Sequence, residues 1–199
     1  MPTQMPQDEP FLLNLVGPGH WGKRYLDIGA WHPIIGSNTY CLYLMDWRGE
    51  VYEPQRDMRW QFVERRPEDK FIEAAVADFS GRATFYGSGQ LASLDPVAGR
   101  PHSQQKMIQV IDSATLAGSY SFASLDVEGG EAAVLKNINW DRLRVGVWMI
   151  ECLDMHKNPT WPQWEKYLLD HGYGEGQHAC RLNRFYVHKD YRDAGLSPS

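Results

Sequence analysis

No stretch of this chain approaches the ~20 consecutive apolar residues that a membrane span requires, so no integral membrane segment is expected. Cysteine is scarce. Cys41, Cys152 and Cys180 are odd in number and far apart, which fits neither a disulfide framework nor a zinc-ligand spacing. A reducing compartment, the cytoplasm, is therefore the expected location. Basic residues are outnumbered, 20 Lys and Arg against 25 Asp and Glu, for a net charge of −5. A nucleic-acid binder would usually show a basic face, so nucleic acid is not an expected partner. The N-terminus is polar and acidic rather than a basic segment followed by an apolar one, so no signal peptide is read there. Asn158-Pro159-Thr160 carries proline where a glycosylation acceptor excludes it. Internal repeats and low-complexity blocks are also missing. What remains is an ordinary globular composition, 43% hydrophobic and 23% charged over 199 residues, enough for one domain with a substantial core.

The most informative stretch is Tyr25-Leu26-Asp27-Ile28-Gly29-Ala30-Trp31-His32-Pro33. A short apolar run ends at Asp27 and Ile28, Gly29, Pro33 and Gly36 break it, and Ser37-Asn38-Thr39 opens the next periodic segment. That pattern predicts a buried strand, a loop and a capped helix. Free N–H groups at a helix start beyond a strand's carboxyl end are where α/β folds hold ligands. Asp27 there requires a cationic or hydroxyl partner. The next strand, Glu50-Val51-Tyr52-Glu53, also ends in an acid, placed to take both hydroxyls of a ribose.

Elsewhere, Gly17-Pro18-Gly19-His20-Trp21-Gly22 spells a dinucleotide-type glycine pattern but precedes the strand, so it reads as a turn. The helix opened near Thr39 is expected to end at Arg48-Gly49, and a second helix to span Met58–Val63. Two adjacent arginines such as Arg65-Arg66 are usually a solvated face, and no role is assigned to them. Further strands are expected at Phe71–Val76, Ala83–Tyr86, Met107–Ile111, Tyr120–Val127 and Val145–Ile150, the last ending in Glu151. The polar stretch from Gly87 to Gln105 is expected to be a mobile loop covering the acceptor. Glu131 starts a helix, either as a ligand-facing acid or as a purely structural first-turn charge. Thr160 and Gln163 form a capping box. His178–Leu182 and Arg184–Val187 read as a closing hairpin, with a loose tail from Lys189. This order of elements predicts a doubly wound, mostly parallel α/β sheet. Its parts are an N-terminal extension (1–24), the main domain (25–188) and a tail (189–199).

Four segments, Asp27 to Tyr40, Trp47-Arg48-Gly49, Tyr52-Glu53-Pro54 and Ser124 to Glu131, together resemble the FkbM-type methyltransferase family. The resemblance runs from about Thr3 to Val187. It implies a Rossmann-like class I methyltransferase fold in which the C-terminal hairpin supplies an antiparallel strand. It also implies S-adenosylmethionine as cofactor and a hydroxyl acceptor, often on a sugar or glycan. On the matching positions it implies cofactor contacts at Asp27, Gly29, Ala30, Ser37, Asn38, Glu53, Pro54 and Asp126. Ala77 and Asp78 are implied near the adenine, with a plain turn acid as the competing reading.

Methyl transfer to a hydroxyl needs a base. The candidates are Glu128 first, then Asp126 if Glu128 faces the cofactor, and Glu151, His32 and His156. His32 is equally readable as a loop-packing histidine. Asp126, Glu128 and Glu151 could also hold a divalent metal such as Mg²⁺, a point the sequence leaves open. A scaffold protein on the same fold and a nicotinamide-dependent oxidoreductase are the alternatives. The second would require a glycine-rich fingerprint after residues 25–28, where Gly-Ala-Trp-His-Pro stands instead. Oligomeric state is not legible.

Overall fold

A computed structural model describes residues 8–89, 92–94, 104–154, 156–178 and 181–196. Its centre is a six-stranded sheet. The strands are β1 (Arg24–Ile28), β2 (Arg48–Tyr52), β3 (Lys70–Ile72), β7 (Gly118–Leu125), β8 (Leu143–Glu151) and β9 (Asn183–Val187), in the order β3-β2-β1-β7-β8-β9. All neighbours are parallel except β8 and β9. A second sheet of three strands, β4 (Ala75–Ala77), β5 (Gly81–Tyr86) and β6 (Gln105–Asp112), sits between β3 and β7 in the chain, in the order β4-β6-β5. This is the Rossmann-like, mostly parallel fold that the sequence implied, with an antiparallel C-terminal strand.

Both faces of the main sheet are buried, and the strand alternation shows it. Tyr25, Phe122, Val147 and Met149 point to one face, where helices α1 (Asp8–Val16), α2 (Tyr40–Leu44), α3 (Arg56–Arg65) and α6 (Lys189–Leu196) cover them. Leu26, Ile28, Ala123, Leu125, Trp148 and Ile150 point to the other, under α4 (Glu131–Asn137) and α5 (Glu165–Leu169).

Several expectations are corrected. The Phe71–Val76 run is split, because Glu73 and Ala74 turn the chain from the main sheet into the second one. The crossover from β3 to β7 thus runs through that second sheet and, among the described residues, a short 3₁₀ turn at Ser113–Thr115. Helix α2 stops at Leu44, with Asp46 in the left-handed region (φ 63°), and Arg48-Gly49 belongs to β2. Gly49 is there because a Cβ would lie 2.1 Å from the Tyr25 ring. Thr39 and Thr160 make no side-chain cap, so there is no capping box at 160–163. Ala179 and Cys180 of the expected first hairpin arm lie outside the described residues; Arg181 and Leu182 are not in a strand, and β9 meets Gln177 in an antiparallel bridge through Phe185. Lys189–Leu196 is a helix, not a loose tail, and its Tyr191 packs on β8 over Gly146. Most of the stretch from Gly87 to Gln105 lies outside the described residues, including Leu91 and Asp95. Gly17–Trp21 is a turn, as read, and among the described residues Cys41 is free and both Cys41 and Cys152 are buried.

Candidate active site

Strands β1, β2 and β7 run side by side in one direction, so their carboxyl ends deliver Ile28-Gly29, Tyr52-Glu53 and Leu125-Asp126 to one edge. The three loops are knitted together by backbone bonds. Gly29 and Ala30 donate to the Tyr52 carbonyl, and Asp126 donates to the Ile28 carbonyl at 3.0 Å. Gly29 is required: its φ is +83° and a Cβ would fall 1.7 Å from the Asp126 carbonyl oxygen. Two adjoining crevices open at this edge. The larger is lined by Tyr52, Glu53, Pro54, Gln55, Ala75, Val76, Phe85, Ala92, Leu94, Val127 and Glu128. The smaller is lined by Asp27, Ala30, Gly36 and Asn38. Gly29, Trp31 and Asp126 form the ridge between them.

Glu53 is buried, and its two oxygens accept the backbone N–H groups of Trp31 (2.8 Å) and Gln55 (2.7 Å). Burial pushes its carboxyl up to about 7, against the pull of those donors. Gln55 also clasps Gly89, donating to its carbonyl at 3.0 Å and accepting its N–H at 2.8 Å, which ties the second sheet over the larger crevice. Asp27 is buried and accepts from the Thr39 hydroxyl. Burial raises its pKa to about 6, with Arg66 and the Thr39 bond opposing.

Asp126 and Glu151 behave differently. They are hydrogen-bonded to each other, and both carboxyls are pushed up, by desolvation first and then by the neighbouring acids. The neutral form is therefore favoured at this pair, and the two carboxyls hold a proton between them. Carboxylate oxygens of Asp126, Glu131 and Glu151 lie within 4.8 Å of one another, a spacing that can hold a hard divalent cation. Glu131, rather than Glu128, completes that group. One oxygen of Glu131 accepts the N–H groups of Val127 and Gly129, so it also shapes the bend after β7. Glu128 sits at that bend with a left-handed backbone (φ 56°), its carbonyl taking the Ser93 hydroxyl.

Of the other expected residues, Asn38 lines the smaller crevice and donates to Ser124 at 3.1 Å, while Ser37 is buried and accepts from Arg66. Ala77 lies in the second sheet and Asp78 is exposed; Ala75 and Val76 take the crevice positions instead. His32 accepts the N–H groups of Ile34 and Ile35 on Nδ1, so it closes its own loop. Partial burial lowers its pKa, which keeps it neutral. His156 is exposed in a turn built on Asp154 and lines neither crevice. The largest omission is Arg66. Read as solvated, it is buried, with Asp69 at 2.6 Å and Tyr25 at 2.8 Å. Its only sequence signal is its place before Pro67 and three residues ahead of Asp69, which is too common to mean anything alone.

The Methyltransferase FkbM domain matches residues 27–174, about three quarters of the chain. This protein belongs to the FkbM methyltransferase family. That family is described as one of methyltransferase domains. No curated protein matches it. Solved structures that resemble it include the StiE O-methyltransferase region (residues 942–1257), at 13% identity and a TM-score of 0.42, covering 78% of this chain and 47% of that one. The Burkholderia thailandensis 1,6-didemethyltoxoflavin-N1-methyltransferase, solved with its substrate and S-adenosylhomocysteine, has 11% identity and a TM-score of 0.41, covering 83% and 70%. The METTL16 methyltransferase domain has 15% identity and a TM-score of 0.44, covering 89% and 78%. The chain thus spans about half of the first of these and more of the others. Among the described residues no helix is long and apolar enough to cross a membrane.

Proposed function

We propose that the two crevices form one cofactor site and that the enzyme methylates a hydroxyl group, on a sugar, glycan or glycosylated small molecule. The observation that carries this reading is the pair of buried strand-end acids, Asp27 and Glu53, on either side of the Gly29 ridge. Their chemistry fits the cofactor: carboxylates suit an ammonium and ribose hydroxyls, and the missing Cβ of Gly29 leaves room for a close approach. Glu53, Pro54, Ala75 and Val76 would hold the nucleoside, while Asp27, Ala30, Gly36 and Asn38 would hold the amino-acid end. When bound, S-adenosylmethionine supplies the methyl group as an electrophile.

The protein's own work is to orient the acceptor and remove its proton. Asp126 is our choice of base. It lines both crevices and is hydrogen-bonded to Glu151, in a pair whose carboxyls are pushed up by burial and the neighbouring acids, so that a proton is held and exchanged there. Glu128, on the same wall, orients the acceptor. Acids rather than arginines around the site favour an uncharged acceptor over a polyanion such as nucleic acid. The free, buried Cys41 is consistent with a cytoplasmic setting. Residues 25–188 would form the catalytic domain, braced by α1 and α6.

The test is calorimetric titration with S-adenosylhomocysteine. Micromolar binding is expected for the wild type, with a loss of about 100-fold in Asp27→Ala and in Glu53→Ala, as for removal of a charged hydrogen-bond partner. Acceptor screening should then yield methyl ethers of sugars rather than N-methyl products. Unchanged binding in both variants would overturn the assignment.

A further inference from the structure

Arg66 has a fully enclosed side chain and five hydrogen bonds. Its Nε donates to Asp69 (2.6 Å), Nη1 to the Pro33 carbonyl (3.3 Å) and the Ser37 hydroxyl (3.1 Å), and Nη2 to Tyr25 (2.8 Å) and Thr39 (2.9 Å). A buried ion pair of this kind is a poor stabilising device, since apolar residues of equal volume often do as well or better. What the network does provide is direction. Because Thr39 accepts from Arg66, its single proton is aimed at Asp27 Oδ2. The second Asp27 oxygen has no protein partner among the described residues, and Asp27 lines the smaller crevice. Arg66 also pins both ends of the 33–39 loop, which contributes Gly36 and Asn38 to that crevice.

We infer that Arg66 is a positioning residue. Acting through Thr39, it holds Asp27 with one oxygen fixed and the other presented, and so sets the affinity for the cationic amino-acid end of the cofactor. The inference rests on the proposed placement of that cofactor. Other charged or titratable groups around Asp27 are Asp69, Tyr25 and, across the ridge, Asp126.

The test compares two ligands, S-adenosylhomocysteine and 5′-methylthioadenosine, which has the nucleoside but no amino-acid end. The variants are Thr39→Val, which removes the hydroxyl at constant volume, and Arg66→Lys, which keeps the charge but not the planar fork. By calorimetry, each should lose about tenfold in affinity for S-adenosylhomocysteine, the size of one charged hydrogen bond, and less than about twofold for methylthioadenosine. A merely structural role would weaken both ligands together, and that result, or unchanged affinity for both, overturns the inference. If the wild type binds neither ligand, the cofactor placement itself falls, and this inference with it.

Discussion

Asp27 and Glu151 close strands β1 and β8 at the same edge of the same sheet, yet they meet the cost of burial in opposite ways. Beside Asp27 the chain brings a buried arginine, so the carboxyl rises only to about 6 and is largely ionised at neutral pH. Beside Glu151 it brings Asp126, Glu128 and Glu131, and the carboxyl keeps its proton instead. Charge pairing gives a fixed anion suited to holding a cation. Proton sharing gives a pair that can take up and release a proton, which suits a base. One edge therefore contains a binding half and a reacting half, separated by Gly29.

The sharpest way to break the contrast is Arg66→Leu. It leaves Asp69 and Asp27 buried without a cation, and a destabilisation of about 3–5 kcal/mol is expected in chemical denaturation. A fall below about 1 kcal/mol would mean that water replaces the guanidinium. Gly29→Ala attacks the ridge itself. The positive φ and the collision with the Asp126 carbonyl should cost about 1–3 kcal/mol and remove S-adenosylhomocysteine binding.

A third test uses pH. Asp27, Glu53 and Glu151 all have folded pKa values above their unfolded ones, so the folded state binds more protons. Their stabilising effect is complete below about pH 4 and is lost as pH rises through about 6 and 7 for the first two. The ligand-free protein should lose stability between pH 5 and 8, and Glu151→Gln should flatten that slope while Asp27→Asn flattens it less. A slope of the opposite sign would show that the acids are ionised in place. The smallest effects belong to the histidines. His32→Ala should cost about 1 kcal/mol, because two backbone N–H groups lose their acceptor. His156→Ala should leave both stability and turnover within about twofold, since it touches neither crevice.

The sequence by itself determined the order of strands, the acids at their ends and the motif at residues 27–40 that carries the family. These are local facts: apolar runs of strand length, glycine where the backbone must bend, and a chain direction that brings strand ends to one edge. Only the tertiary structure decided which acids are charged, because that depends on contacts far apart in the chain. Arg66 reaches Asp27 through Thr39 from a helix end that looks solvent-facing in the sequence. The same is true of the split at Glu73-Ala74, where a mostly apolar run gave no sign that two sheets would share it, and of the C-terminal helix, whose buried Tyr191 finds its place on Gly146 only after β8 has formed. Hydrophobic periodicity is written in neighbours along the chain, whereas the protonation of a buried carboxyl is written in neighbours in space.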